Sequence, residues 1–249
     1  MVDLDSYEKR ALKELKIWQK NVQRKPGIIG GLSKGAQDKI NSLIPETAHK
    51  VITEAIKNMV KVVELGSQYT NKKPIQGSSL KEREEILEER ISFYKKTGAL
   101  SGAGIGAGGI LLGLADFPVL LSIKMKFLFE AASIYGFRVE DYRERLYILY
   151  IFQITFSSEE RRREIYPIME NWGEYIKTLP EDSDSFDWRA FQQEYRDYID
   201  LAKLLQLVPG IGAVVGAAAN YKLLNQLGYY AKNAYRMRVF KKIEPVVAK

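Results

Sequence analysis

Few side chains in this 249-residue chain could do chemistry. It has one histidine, His49, and no cysteine, so disulfides, thiolate nucleophiles and thiolate metal sites are excluded. His49 has no second histidine or acidic cluster nearby, so neither a metal site nor a Ser-His-Asp arrangement is expected around it. The run Ser78-Ser79-Leu80-Lys81 matches a Ser-x-x-Lys pattern. However, Ser79 and Glu82 stand at capping-box spacing, which accounts for the neighbourhood better. Gly104-Ile105-Gly106-Ala107-Gly108-Gly109 has the spacing of a dinucleotide-binding fingerprint. A charged helical stretch rather than a strand precedes it, and no acidic residue stands about 20 positions on to hold a ribose. No Gly-Lys-Ser/Thr follows, so a P-loop is absent too.

Four residues form a candidate polar or ligand site: Asp116, Lys124, Arg143 and Asn220. Asp116 can cap the helix that Phe117-Pro118 opens. Equally, it can be a buried polar group that faces Lys124, Arg143 or Asn220 and lines a cavity. Most other carboxylates alternate with Lys or Arg, as helix-surface ion pairs do, and Lys126 and Glu130 are spaced to pair. No catalytic, cofactor-binding or metal-ligating residue is expected, and no cofactor. The enzyme alternative is a hydrolase of unknown mechanism drawing on His49, Ser101 or Asp116.

Helices must position these groups. Tyr7, Ala11, Leu15, Trp18 and Val22 repeat at helical spacing with lysines between, and Pro26-Gly27 ends the run. Residues 1–27 therefore form an amphipathic N-terminal helix, and 28–249 a single helical domain. Packing on that domain is the favoured role of the helix, although Trp18 and a lysine-rich face would also suit a membrane surface. Pro45 opens a second helix, striped by Val51, Ile52, Ala55, Ile56, Met59, Val60 and Val63. Ser79 and Glu82 start a charged helix running through Lys96. A further helix ends at Gly136, Tyr142 to Phe156 is another, Ser157 and Glu160 are spaced as a capping box, and Trp188 to Leu207 is amphipathic. No segment alternates with period two, so the expected class is all-α, a bundle of about nine helices.

The stretch from Thr97 to Ile123 carries a single charge, Asp116, and seven glycines between Gly98 and Gly113. Each interior helical glycine costs roughly 0.8–1.0 kcal/mol relative to alanine, so their number requires a compensating gain. Close helix packing supplies one. Gly102 and Gly106, like Gly109 and Gly113, are four apart and leave flat patches where another backbone can approach. Gly212 and Gly216, followed by Asn220, echo Gly109 and Gly113, followed by Asp116, and suggest a second glycine-rich apolar hairpin and an internal duplication. Thr97 to Ala115 is uncharged over 19 residues, near the ~20 that span a bilayer core. The glycines dilute its hydrophobicity and an ionised Asp116 would cost roughly 2.5–3.5 kcal/mol at the bilayer centre, so no permanent span is expected.

Net charge is +7, unevenly spread. Residues 222–249 hold seven Lys or Arg against Glu244, a local +6, whereas residues 181–200 hold seven Asp or Glu against two Arg, a local −5. Lys232, Arg236, Arg238, Lys241 and Lys242 are thus a candidate membrane or partner surface, suited to anionic lipid or an acidic partner. No recognised nucleic-acid module accompanies them, and nucleic acid is not an expected partner. The start, MVDLDSYEKR, has no basic-then-apolar leader, and the expected location is cytoplasmic, peripheral on the inner face of the cell membrane.

The segments INSLIPETAHKVITEAIKNMV (40–60), GGILLGLADFPVLLSIKMKFLFEAASIYGF (108–137), DYRERLYIL (141–149), FSSEERR (156–162) and the Pro209-Gly210-Ile211-Gly212 run leading to Ala218-Ala219-Asn220-Tyr221 resemble the bacterial EcsC family, over roughly residues 30–240. The resemblance implies a non-enzymatic accessory role at the cytoplasmic face of the membrane, with the components of an ABC transporter as partners. It carries no catalytic residues. The alternative to that role and to the hydrolase is a lipid or apolar-ligand binder, in which the glycine-rich helices leave room for an acyl chain.

Overall fold

A computed structural model describes residues 4–24, 46–65, 74–103, 117–199 and 213–243, and these are mostly helical, with no strand among them. Among the described residues, nine α-helices follow one another: α1 (Ser6–Val22), α2 (Glu46–Leu65), α3 (Leu80–Ala103), α4 (Phe117–Ile134), α5 (Tyr142–Phe156), α6 (Glu159–Glu170), α7 (Trp172–Tyr175), α8 (Trp188–Tyr198) and α9 (Ala213–Ile243). A 3-10 turn, Ile176–Thr178, follows α7.

Local codes set many helix ends. Asp5 caps α1 in a reciprocal box, accepting from Glu8 N at 2.7 Å while Glu8 Oε2 accepts from Asp5 N at 3.0 Å. Ser79 and Glu82 form the expected box ahead of α3, with Ser79 N donating to Glu82 at 2.8 Å. The Ser157–Glu160 box is displaced by one residue. Ser157 still donates to Gln153 O at 2.6 Å on the last turn of α5, so Ser158 becomes the cap of α6 and accepts from Arg161 N at 3.2 Å. At the end of α4, Gly136 adopts φ 85°, Phe137 N donates to Ala132 O at 3.0 Å and Gly136 N to Ser133 O at 3.0 Å, a Schellman closure.

Among the described residues, the core is organised around α9. At 31 residues, α9 extends about 46 Å. It packs most closely on α3, and also touches α1, α4, α5 and α6. Behind it, α5 is buried from Arg145 to Phe156, as befits a helix apolar on nearly every side. The N-terminal helix joins the same core through Ala11, Leu15, Trp18 and Val22. Trp18 is 1% exposed, set edge-on against Tyr166 and Tyr230, which removes it from any membrane contact.

Gly102 lies in the last turn of α3 and Gly216 in the first turn of α9, whereas Gly106, Gly109, Gly113 and Gly212 lie outside the described residues, as do the hairpins and the repeat they suggested. Close approach is nonetheless built at Gly228, in the middle of α9, where a Cβ would stand 2.6 Å from Ile91 Cδ1 of α3. Gly228→Val is expected to destabilise the fold by about 1–3 kcal/mol through overpacking, although valine is the better helix former. Urea unfolding followed by circular dichroism checks this, and an unchanged midpoint would refute the contact.

Candidate functional site

The polar residues singled out by sequence separate into two groups. From α4, Lys124 points its ammonium at Asn220 of α9, with Nζ 3.2 Å from Oδ1 and 3.4 Å from Leu120 O. It is 1% exposed, and burial pulls its pKa down from 10.5 to about 7. Asp116 lies outside the described residues. Arg143 does not join Lys124 and Asn220. It sits in the first turn of α5, its Nε 3.0 Å from Asp141, the residue that caps that helix. An unprotonated amine can act as a nucleophile or base. At this burial, between Asn220 and the Leu120 carbonyl, it acts as a polar clamp between α4 and α9. Glu130, spaced for Lys126, lies 3.4 Å from Arg90 of α3 instead.

The other group changes part of the charge map read from sequence. Of the cations of the last helix, Arg236 and Arg238 are largely buried, whereas Lys241 is exposed. Arg236 is 3% exposed and forks onto Glu84 of α3, Nε to Oε1 and Nη2 to Oε2 both at 2.6 Å, while Nη1 reaches Glu14 of α1 at 2.8 Å. The same carboxylate accepts from Tyr7 at 2.7 Å and Tyr135 at 3.2 Å, so its two oxygens take four hydrogen bonds. Burial and the Glu84 hydrogen bond push the Tyr7 hydroxyl up to about 12, and burial and Glu84 raise Tyr135 well above the usual tyrosine value. Burial alone would lower Arg236; its hydrogen bonds to Glu84 and Glu14 outweigh this and raise it.

Two residues on, Arg238 pairs through both guanidinium arms with Glu144 of α5, its carbon 3.8 Å from the Phe137 ring centroid and 4.6 Å from that of Tyr147. Lys232 pairs with Glu88 at 2.7 Å, and Lys241 donates to the Glu170 carbonyl. The Lys242 side chain lies outside the described residues. Arg236 and Arg238 face inward because α9 is the central helix of the described residues, and a charge there is tolerated only beside a partner.

Glu84 escaped the sequence reading because it stands among surface charges. One signal was present: Leu80, Glu84, Leu87 and Ile91 share one helical stripe, and a carboxylate within an apolar stripe marks a buried pair. Other arginines close helix ends. Arg145 donates to Glu64 O at 3.1 Å and Glu140 O at 2.7 Å, and Arg162 to Ile154 O at 3.0 Å. His49 and Ser101 lie in α2 and α3, with side chains outside the described ones. Among the described residues, no three His, Cys, Asp or Glu gather where they could hold a metal ion, and no helix is long and apolar enough to cross a membrane.

An all-α bundle stapled by buried arginine–carboxylate pairs is the class of protein these observations define. The chain belongs to the EcsC protein family, which it matches over residues 9–240. It is 48% identical to Protein EcsC of Bacillus subtilis (strain 168) over 225 residues, covering 90% of this chain and 92% of that protein. It is also 29% identical over 247 residues to Uncharacterized protein YdbA of the same organism, covering 91% of this chain and 90% of that protein. No solved structure matches the chain.

Proposed function

We propose that this protein is a non-enzymatic accessory component that works at the cytoplasmic face of the membrane with an ABC transporter. The observation that carries the reading is the saturation of the buried polar cluster. Glu84 has its four lone-pair sites occupied by Arg236, Tyr7 and Tyr135, so the deepest carboxylate serves as a staple rather than as an acid or base. The transporter enters only as what the resemblance to the EcsC family implies. The alternative of an apolar-ligand binder places its ligand among the glycine-rich segments, most of which lie outside the described residues. Among the described residues, the groove between α2 and α4 lined by Ala55, Met59, Val62, Leu121 and Met125 holds about 70 Å³, below the ~300–1,000 Å³ of ordinary ligand pockets.

The test is fractionation of cells producing a tagged copy, followed by mild detergent extraction and mass spectrometry. Recovery in the membrane fraction with the ATPase and permease subunits of one transporter is the expected result. Recovery wholly in the soluble fraction at low salt, with no transporter subunit, would remove the proposal.

A further inference from the structure

With Arg236 and Arg238 turned inward, the exposed positive charge of α1 stands out. Lys9, Lys13, Lys16 and Lys20 of α1 recur at intervals of four, three and four. At about 100° per residue they fall within roughly 60° of arc, diametrically opposite the buried Ala11, Leu15, Trp18 and Val22. Leu12 and Ile17 flank the row, Ile17 being 52% exposed, and the six side chains line a shallow groove of about 410 Å³.

The acids of the same helix are withdrawn from this face: Glu8 is held in the capping box and Glu14 reaches Arg236. Arg10 lies over the Tyr7 ring at 5.0 Å. Among the described residues, Lys13, Lys16 and Lys20 make no ion pair. The fold thus sorts charge along α1, with carboxylates toward the bundle and ammonium groups away from it.

We infer that this outward face of α1 is the surface that seats the protein on anionic phospholipid. The inference rests on the membrane-face reading above and specifies its contact. The compact, strongly hydrated ammonium groups of Lys13, Lys16 and Lys20 on flexible stems suit a diffuse plane of headgroup charge, whereas a partner with fixed carboxylates or phosphates is ordinarily met by arginine forks. Leu12 and Ile17 supply shallow apolar insertion beside the cations.

The test uses the full-length purified protein, without transporter, and sedimentation with vesicles of phosphatidylcholine alone or with added phosphatidylglycerol. Binding is expected only to the anionic vesicles and is expected to fall away in 0.5 M salt. Lys13→Gln/Lys16→Gln, which keeps good helix formers, is expected to weaken partitioning about 25-fold, near fivefold per lysine, with circular dichroism and unfolding midpoint unchanged. Ile17→Ser is expected to weaken it further at equal charge.

Indifference to phosphatidylglycerol, or full binding by the double-lysine variant, would overturn the assignment. So would equal or tighter capture by duplex DNA, which would make the face a general polyanion binder. Co-purification with transporter subunits is scored separately, so a protein that keeps its transporter but ignores vesicles refutes α1 as the lipid contact without refuting the accessory role.

Discussion

Glu84→Leu is expected to lower the thermal unfolding midpoint by about 6–20 °C. The substitution leaves the Arg236 guanidinium buried with only Glu14, which is half exposed, and deprives the Tyr7 and Tyr135 hydroxyls of their acceptor. Removing one partner of a buried pair costs about 3–5 kcal/mol, and in a chain of this size each kcal/mol moves the midpoint by about 2–4 °C. The double variant Glu84→Leu/Arg236→Met is expected to recover most of that loss, because the desolvated charge disappears with its partner. Calorimetry of the wild type, both single variants and the double variant gives the coupling directly. A single variant within about 1 kcal/mol of the wild type would mean that α1, α3 and α9 are held together by apolar contacts alone.

Lys124→Met is expected to act in the opposite direction and to stabilise the protein at neutral pH by about 4 kcal/mol. Burial lowers the lysine pKa from 10.5 to about 7, and each unit of that difference corresponds to about 1.36 kcal/mol of preference for the unfolded, solvated ammonium. The sign follows from proton binding. Between about pH 7 and 10.5 the unfolded chain holds a proton that the folded chain lacks, so wild-type stability rises with pH across that window. Below about pH 7 the penalty is at its full value; above about pH 10.5 it is gone. The methionine variant therefore gains most at pH 6, and its advantage shrinks steadily toward pH 10. Urea midpoints at pH 6, 8 and 10 measure this, and a pH-independent difference between the two proteins would refute the titration of Lys124.

Much of the architecture was legible in sequence because it is written in short-range codes. The apolar spacing of α1, the Ser79–Glu82 box and the glycine stop after Tyr135 each act within a few residues, and the structure places them as read. The absence of period-two alternation gave an all-α chain, and quoted segments carried the family. The Ser157 cap failed by one position because a serine can donate back to the preceding helix as readily as it caps the next one.

What tertiary structure alone decided is which charges lie inside. By composition, a lysine- and arginine-rich last helix and a glutamate-rich third helix both look solvated. Their interior pair, Glu84 with Arg236, joins residues 152 apart, and no local pattern specifies that meeting. The same holds for Gly228, whose missing side chain matters only because Ile91 of another helix stands against it. The sequence by itself determined the helical class, the Ser79 cap, the Gly136 stop and the family. Packing around α9 determined that its arginines became internal staples and left the lysines of α1 as an exposed cationic row, because a buried charge needs a partner supplied from elsewhere in the chain and an exposed one needs only water.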